Sequence, residues 1–180
     1  MAFATIDVTK GITGTIPVAN GGTGLASGTS GQFLKFTGST TLASAADNGK
    51  LLQVVNSSTD FDSSSTGNLE LYSASITPSA TSSKVLILFS CAMQIDNDEY
   101  AKLSIYRGSL ASGSAVFTLD DVGFNATGGG SRYQATGHYL DSPSTTSSQQ
   151  YSIVGINIGG VNMRYGAGAN NPITLIEIGA

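Results

Sequence analysis

The chain has 180 residues, of which 40% are hydrophobic and 11% charged, against roughly 25% charged residues in typical globular proteins. The net charge is −4 and no basic run occurs, which argues against nucleic-acid binding. No apolar segment approaches the ~18 residues of a membrane span, and the first residues lack the pattern of a secretory signal. We therefore expect one domain of ordinary size with neither nucleic acid nor membrane among its partners.

Residues 1–46 form one compositional zone, in which Lys35 is the only charge between Gly11 and Ala46. Residues 14–24 read GTIPVANGGTG, with four glycines and a proline, and show neither a helix nor a strand period. The one short segment with strand character is 32–36. So little apolar surface does not favour independent order, and we predict an attachment arm that orders against a partner.

The composition of the sequence changes at Lys50, and eight segments after that residue are predicted strands. They are residues 51–55, 69–76, 84–93, 102–107, 114–119, 132–140, 150–158 and 173–178. The nearly continuous apolar run from Lys84 to Met93 is typical of a strand buried on both faces. Turn residues separate the segments and no helix period is present.

These segments predict an all-β fold, an antiparallel β-sandwich of jelly-roll type with an extended N-terminal arm. The alternative is an immunoglobulin-like sandwich, but the chain has no Trp and a single Cys, so that fold's Cys–Trp–Cys pattern is absent. We predict two parts, an attachment arm over residues 1–46 and a head over residues 47–180.

Few residues suggest chemistry. Cys91 lies in the apolar run and predicts a buried thiol, and with one cysteine no internal disulfide forms. His138 lies within a predicted strand and has no G-x-S-x-G partner motif. No phosphate-binding glycine motif is present. We expect no catalytic residue and no cofactor.

The best metal candidate is the acidic group 96–99. Asp96, Asp98 and Glu99 offer carboxylate oxygens of the kind that calcium binds, but the spacing of an EF-hand loop is missing. A solvated turn explains the same residues, and we favour it.

Several strands carry apolar or aromatic residues on both faces, which indicates subunit contact. We predict Tyr133, Tyr139 and Tyr151 at that interface; ordinary core tyrosines are the alternative.

Two parts of the chain resemble proteins of tailed-phage virions. Residues 14–24 resemble the G-T-[LI]-P-V-A-N-G-G-T-G segment of phage fibre and fibre-like proteins, and residues 28–34 are similar to the G-x-x-G-Q-x-L stretch that often follows it. The second half is similar to the C-terminal head of such proteins. The segments that carry this likeness are 76–78, 82–87, 140–146 and 173–178.

The resemblance implies a homotrimer with a jelly-roll head like that of the tumour necrosis factor family, no enzymatic activity, and no catalytic or metal residues. Long tail fibres usually have a repetitive shaft, whereas here the arm passes into the head within about 50 residues. This departure favours a compact knob, a cement protein or a short fibre.

We therefore expect a phage virion structural protein, assembled in the host cytoplasm and placed on the exterior of the virion as a capsid decoration, cement or head fibre protein. Its partners would be its own copies and the major capsid protein or another virion protein. The predicted attachment residues are Ile12, Ile16, Pro17, Val18, Asn20, Gly21 and Gly22.

Three other functions remain open on the sequence. The first is a short tail-fibre tip that binds host surface glycan through loops 96–99 and 124–132. A secreted cytokine-like or complement-like trimer comes next, and an enzyme is the least expected.

Overall fold

A computed structural model of the protein describes residues 14–16, 22–39, 41–45, 51–60, 62–95, 100–120, 122, 131–157, 163–166 and 170–179. The chain divides into two compact units, residues 1–48 and residues 49–180. All regular secondary structure among the described residues is strand.

The first unit contains an antiparallel hairpin of β1 (Phe33–Gly38) and β2 (Thr41–Ala45). The sequence predicted the first strand but not the second, whose small residues (TLASA) carry little strand signal. A register shift between Phe36 and Gly38 leads into the turn.

In the described part of the second unit, which we call the head, there are ten strands. They are β3 (Leu51–Asp60), β4 (Ser63–Ser65), β5 (Leu69–Ile76), β6 (Lys84–Ile95), β7 (Ala101–Arg107), β8 (Ser114–Leu119), β9 (Ser131–Asp141), β10 (Gln149–Asn157), β11 (Met163–Tyr165) and β12 (Asn170–Ile178). Each of the eight predicted segments is a strand. The two additional strands, β4 and β11, are three residues long.

The ten strands form two antiparallel sheets. The larger has the order β3-β12-β6-β11-β4, with β9 also paired to β6, and the smaller has the order β5-β10-β7-β8. After β5 the chain passes to the larger sheet for β6, returns for β7 and β8, crosses again for β9, returns for β10 and crosses for β11 and β12. This repeated crossing between two sheets is a jelly roll, so the predicted fold class is confirmed.

The core lies between the two sheets and is built from alternate residues of each strand. Its largest fully buried apolar side chains are Tyr151, Tyr165, Ile76, Ile87, Met93, Ile95, Leu103, Ile105, Ile153, Ile173 and Leu175. On β6 the odd-numbered residues from Val85 to Ile95 are buried. The even-numbered ones point outward, and Leu88 is 38% exposed. The expectation that β6 is buried on both faces is therefore wrong within one chain, because the even-numbered residues of β6 are only half-buried or exposed.

A buried polar bridge joins the sheets. The Asp141 carboxylate on β9 accepts hydrogen bonds from Arg107 Nε on β7 at 2.8 Å and from the Tyr151 hydroxyl on β10 at 2.6 Å. Burial opposes ionisation of this carboxyl, but the bonds from Arg107 and Tyr151 outweigh it and hold the pKa of Asp141 below its usual value.

Candidate association surfaces

The glycine-rich segment of the first unit folds back on itself. The Gly24 amide donates to the Ile16 carbonyl at 3.1 Å. A Cβ added at Gly22 would lie 2.1 Å from that same carbonyl oxygen, so this position needs glycine. Of the predicted attachment residues, the structure thus brings Ile16 and Gly22 together. The others, Ile12, Pro17, Val18, Asn20 and Gly21, lie outside the described residues.

The β1–β2 hairpin carries three large apolar side chains on its surface. Phe33 is 61% exposed, Leu34 52% and Phe36 67%. Leu34 and Phe36 lie on one face of β1 and Phe33 on the other, so both faces of the hairpin present apolar surface. A two-stranded hairpin has marginal stability on its own, and contact with a partner would remove this surface from water.

The head has a second uncovered apolar surface. We call the outward-facing side of β3, β12, β6 and β9 the outer face. In register across these strands lie Val54, Ile176, Leu86 and Leu140, one from each. Val54 is 53% exposed and Leu140 46%. A row of apolar side chains therefore crosses the whole sheet.

The next row of the outer face runs from Asn56 through Thr174 and Leu88 to His138. Asn56 Nδ2 donates to Thr174 Oγ1 at 2.7 Å. One row further on, Ser58 Oγ donates to the Asn170 side chain at 3.0 Å. These four polar side chains thus have partners within the chain, which lowers the free-energy cost of covering them.

Charge is absent from the middle of the outer face. Its charged residues are Lys84 at one end and Asp60 and Arg132 at the other. In a chain of net charge −4, this is a broad surface on which acidic copies can approach each other without facing carboxylates.

The outward side of the smaller sheet is different, because charged and hydrogen-bonded groups cover it. Glu70 accepts hydrogen bonds from Ser152 Oγ at 3.0 Å, Gln150 Nε2 at 3.1 Å and the Leu110 amide at 2.7 Å. Lys102 forms an ion pair with Asp120 at 2.5 Å. The two outward sheet faces are therefore unlike, and the apolar one belongs to the larger sheet.

The three predicted interface tyrosines lie on the inner side of the sheets. Tyr151 is fully buried, with its hydroxyl on Asp141, and offers no surface to another subunit. Tyr133 and Tyr139 are half-buried against the core, and Tyr139 stacks on Phe117 with ring centroids 5.7 Å apart.

The apolar residues of the outer face were not singled out from the sequence. The available signal was that several strands carry apolar residues on both faces, which predicted subunit contact in general and, for β6, burial on both faces. The apolar residues of the outer face are the exposed Leu52, Val54, Leu88 and Leu140 and the half-buried Leu86 and Ile176.

Three further predictions concern chemistry. Cys91 is fully buried, as predicted, and burial raises the pKa of its thiol to about 12. Asp96, Asp98 and Glu99 lie outside the described residues. Among the residues that the structure does describe, no group of three His, Cys, Asp or Glu side chains could hold a metal ion. Nor does that part of the chain contain a helix long and apolar enough to cross a membrane.

Comparison with known proteins gives structural similarity alone. No family model and no curated protein sequence matches the chain. It is similar to VP2 of infectious bursal disease virus in a subviral particle, at 12% identity and a TM-score of 0.43, over 80% of this chain and 43% of that one. A second similar structure is that of the Gx strain of the same virus, at 17% identity and a TM-score of 0.42, over 81% of this chain and 40% of that one.

The T=1 particles derived from this virus give 12% identity and a TM-score of 0.42, over 80% of this chain and 42% of that one. The chain thus spans about two fifths of the length of these viral chains. At TM-scores below 0.5, these similarities establish neither a family nor a function.

Proposed function

We propose that the chain is a structural protein of a tailed-phage virion, a homotrimeric decoration or cement protein or a head fibre protein on the outside of the capsid. The observation that carries this proposal is the pair of apolar surfaces described above. The larger sheet of the jelly-roll head has the apolar outer face, and the first unit has the exposed apolar hairpin. The resemblance of residues 14–24 to phage fibre arms supports the class of particle.

The head associates with further copies of itself through the outer face. Four of its side chains, Leu52, Val54, Leu88 and Leu140, are each between 38% and 53% exposed, and burying apolar area releases about 25 cal/mol per Å². Copies of an acidic chain repel one another elsewhere, so a face with no charge in its middle favours another copy as its occupant. The trimeric state itself comes from the resemblance.

The N-terminal unit docks on the particle. Phe33, Leu34 and Phe36 supply apolar contact area, and the open hairpin edges can add to a sheet of the major capsid protein or another virion protein. Three arms on one trimer multiply a weak contact, since binding of the first arm raises the effective concentration of the other two. No step of this function needs catalysis, and we propose no enzymatic activity.

Deletion of residues 1–46 tests this proposal. The remaining head, first checked for its fold by circular dichroism, should stay trimeric by light scattering but no longer co-sediment with particles that lack the protein. The full-length double variant Phe33→Ser/Phe36→Ser should lose particle binding as well, whereas Thr37→Ser on the same strand should keep it.

Particle binding by the truncated head would contradict docking through the arm. Binding of the isolated head to host cells or to a glycan array would instead support a receptor-binding tip.

A further inference from the structure

One side of the larger sheet ends in a long strand with an open edge. β3 pairs with β12, and within the part of the chain that the structure describes no other strand pairs with it. In an antiparallel ladder, every second residue of an edge strand turns its N–H and C=O away from the neighbouring strand. About five residues of this strand therefore offer main-chain donors and acceptors to a partner.

β3 also lacks the features that usually keep an edge strand from pairing. It contains no Pro, Gly, Lys or Arg, and its one charged residue, Asp60, lies at its end. Its register with β12 is unbroken from Gln53 to Asp60, so no bulge bends this stretch away from a partner. A long, regular edge with exposed apolar side chains such as Val54 is a site of strand addition.

We propose that two heads pair along β3, antiparallel and about a twofold axis, so that their larger sheets join into one continuous sheet. A second copy of the chain suits this edge because antiparallel pairing moves the two Asp60 carboxylates to opposite ends of the ladder. The contact uses the main-chain edge and not the side chains of the outer face. It therefore goes beyond the proposed trimer and links one trimer to the next.

The twofold axis restricts the register. Residues directly opposite each other in an antiparallel pair point to the same face, so their numbers are both odd or both even. A register centred on Asn56 would set Asp60 against the apolar side chain of Leu52. The register centred on Val55 pairs residues 51–59 of both copies and leaves both Asp60 carboxylates outside this range, so we favour it.

In the register centred on Val55, no charged residue of one β3 faces a charged residue of the other. On the outer face Leu52 lies opposite Ser58 and Val54 opposite Asn56, while the two copies of Val55 meet at the axis. The contact of two single strands is small beside the interfaces of stable complexes, which bury roughly 1,200–2,000 Å². We therefore expect the pair to be transient in dilute solution and to accumulate where copies are held close together.

Disulfide trapping in the full-length chain tests the pairing and its register together. The native Cys91 is fully buried and does not compete. The variants Leu52→Cys and Ser58→Cys change exposed positions, and circular dichroism checks that both stay folded. In the proposed pair the two positions are within the span of a disulfide, whereas each lies about 20 Å from its own counterpart.

Concentrated protein is oxidised with copper phenanthroline and covalent dimers are measured on a denaturing gel. We expect dimers in the mixture of Leu52→Cys and Ser58→Cys and few in either variant alone. Adding Leu88→Lys to both variants, which removes the proposed trimer contact, should leave the cross-link in the mixture.

A mixture with no more dimer than either variant alone would overturn the inference and leave the proposed function standing. Loss of the cross-link with Leu88→Lys would overturn it as well, because the two positions would then meet only through the trimer. Cross-linking that appears only after deletion of residues 1–46 would also contradict it, since the N-terminal unit would then be the occupant of the edge.

Discussion

Glu177 is a fully buried carboxylate near the end of β12. It accepts hydrogen bonds from Gln53 Nε2 on β3 at 2.6 Å and from both the amide and the hydroxyl of Ser79 at 2.7 Å. Burial alone would raise the pKa of this group, but these bonds outweigh it and lower the pKa to about 2. One ionised side chain thus ties the turn between β5 and β6 to the larger sheet.

The substitution Glu177→Gln should destabilise the head by about 1–3 kcal/mol at pH 7, because hydrogen bonds to an ionised acceptor are replaced by weaker ones and one donor is left unsatisfied. A lowered pKa stabilises the folded state above the ordinary value near 4.5, and this stabilisation is lost as the pH falls toward 2. Urea unfolding should therefore show a smaller loss of stability between pH 5 and pH 3 in the variant than in the wild type.

The control for this prediction is Asp62→Asn, since Asp62 is an exposed carboxylate paired with Arg164. It should change the stability at pH 7 little. If Glu177→Gln lowered the free energy of unfolding as little as Asp62→Asn does, at pH 5 and at pH 3 alike, the buried hydrogen bonds would not stabilise the turn as described.

At the scale of elements, the two sheets approach closely where β10 passes β11. Gly155 of β10 lies under the ring of Tyr165 of β11, and a Cβ at this position would be 2.4 Å from the ring carbon Cζ. Tyr165 is fully buried and cannot turn away into solvent. The short strand β11 is thus held in the sandwich by an aromatic ring packed on bare backbone.

Gly155→Ala should lower the free energy of unfolding by about 1–3 kcal/mol, because the added methyl group overpacks this contact. Gly67→Ala is the matched change, since the nearest atom to its added Cβ is 4.0 Å away. Thermal unfolding followed by circular dichroism should show a lower Tm for the first variant and little change for the second. Equal melting temperatures would mean that the ring moves aside freely.

Strand positions were largely predictable from the sequence, and their ends were not. The apolar part of β3 was predicted as 51–55, but the strand continues through the polar residues 56–60, which pair with β12 and carry no period of their own. Similarly, the last strand was predicted as 173–178, but it begins at Asn170. Pro172 fits within the strand because it pairs only with β3, and the ladder to β6 starts one residue later.

The proposed interface was less predictable than the strands, because sequence alternation shows which residues can be buried but not what buries them. For Tyr151 and Leu88, both apolar positions on strands, only the topology decides that the first faces the core and the second the outside. The attachment arm was predicted from composition and resemblance, yet its exposed Phe33 and Phe36 were not singled out.

For the whole molecule, the two outward sheet faces differ in kind. The larger sheet presents leucine, valine and isoleucine with no charge in the middle, and the smaller presents Glu70 and Lys102 within polar networks. If copies of the chain associate as proposed, we expect the apolar face of the larger sheet and not the outward side of the smaller sheet to form the contact.

Leu88→Lys should convert the trimer to a monomer at pH 7.5, because it places a charge in the centre of the outer face. Ser75→Lys adds the same charge on the outward side of β5 in the other sheet and should leave the mass unchanged. Sedimentation velocity distinguishes the two. A trimer of Leu88→Lys as stable as the wild type would place the subunit contact elsewhere.

The position of β12 has a consequence for how the head is made. β12 lies between β3 and β6, and Thr174 meets its partner Asn56 across 118 residues of chain. While the chain is still on the ribosome, β3 and β6 therefore have open edges that only the last strand can close. Such long-range pairing makes folding slow and leaves the unfinished chain open to aggregation. A truncated product without β12 lacks the strand that joins β3 to the rest of the larger sheet, so we expect it to misfold or aggregate.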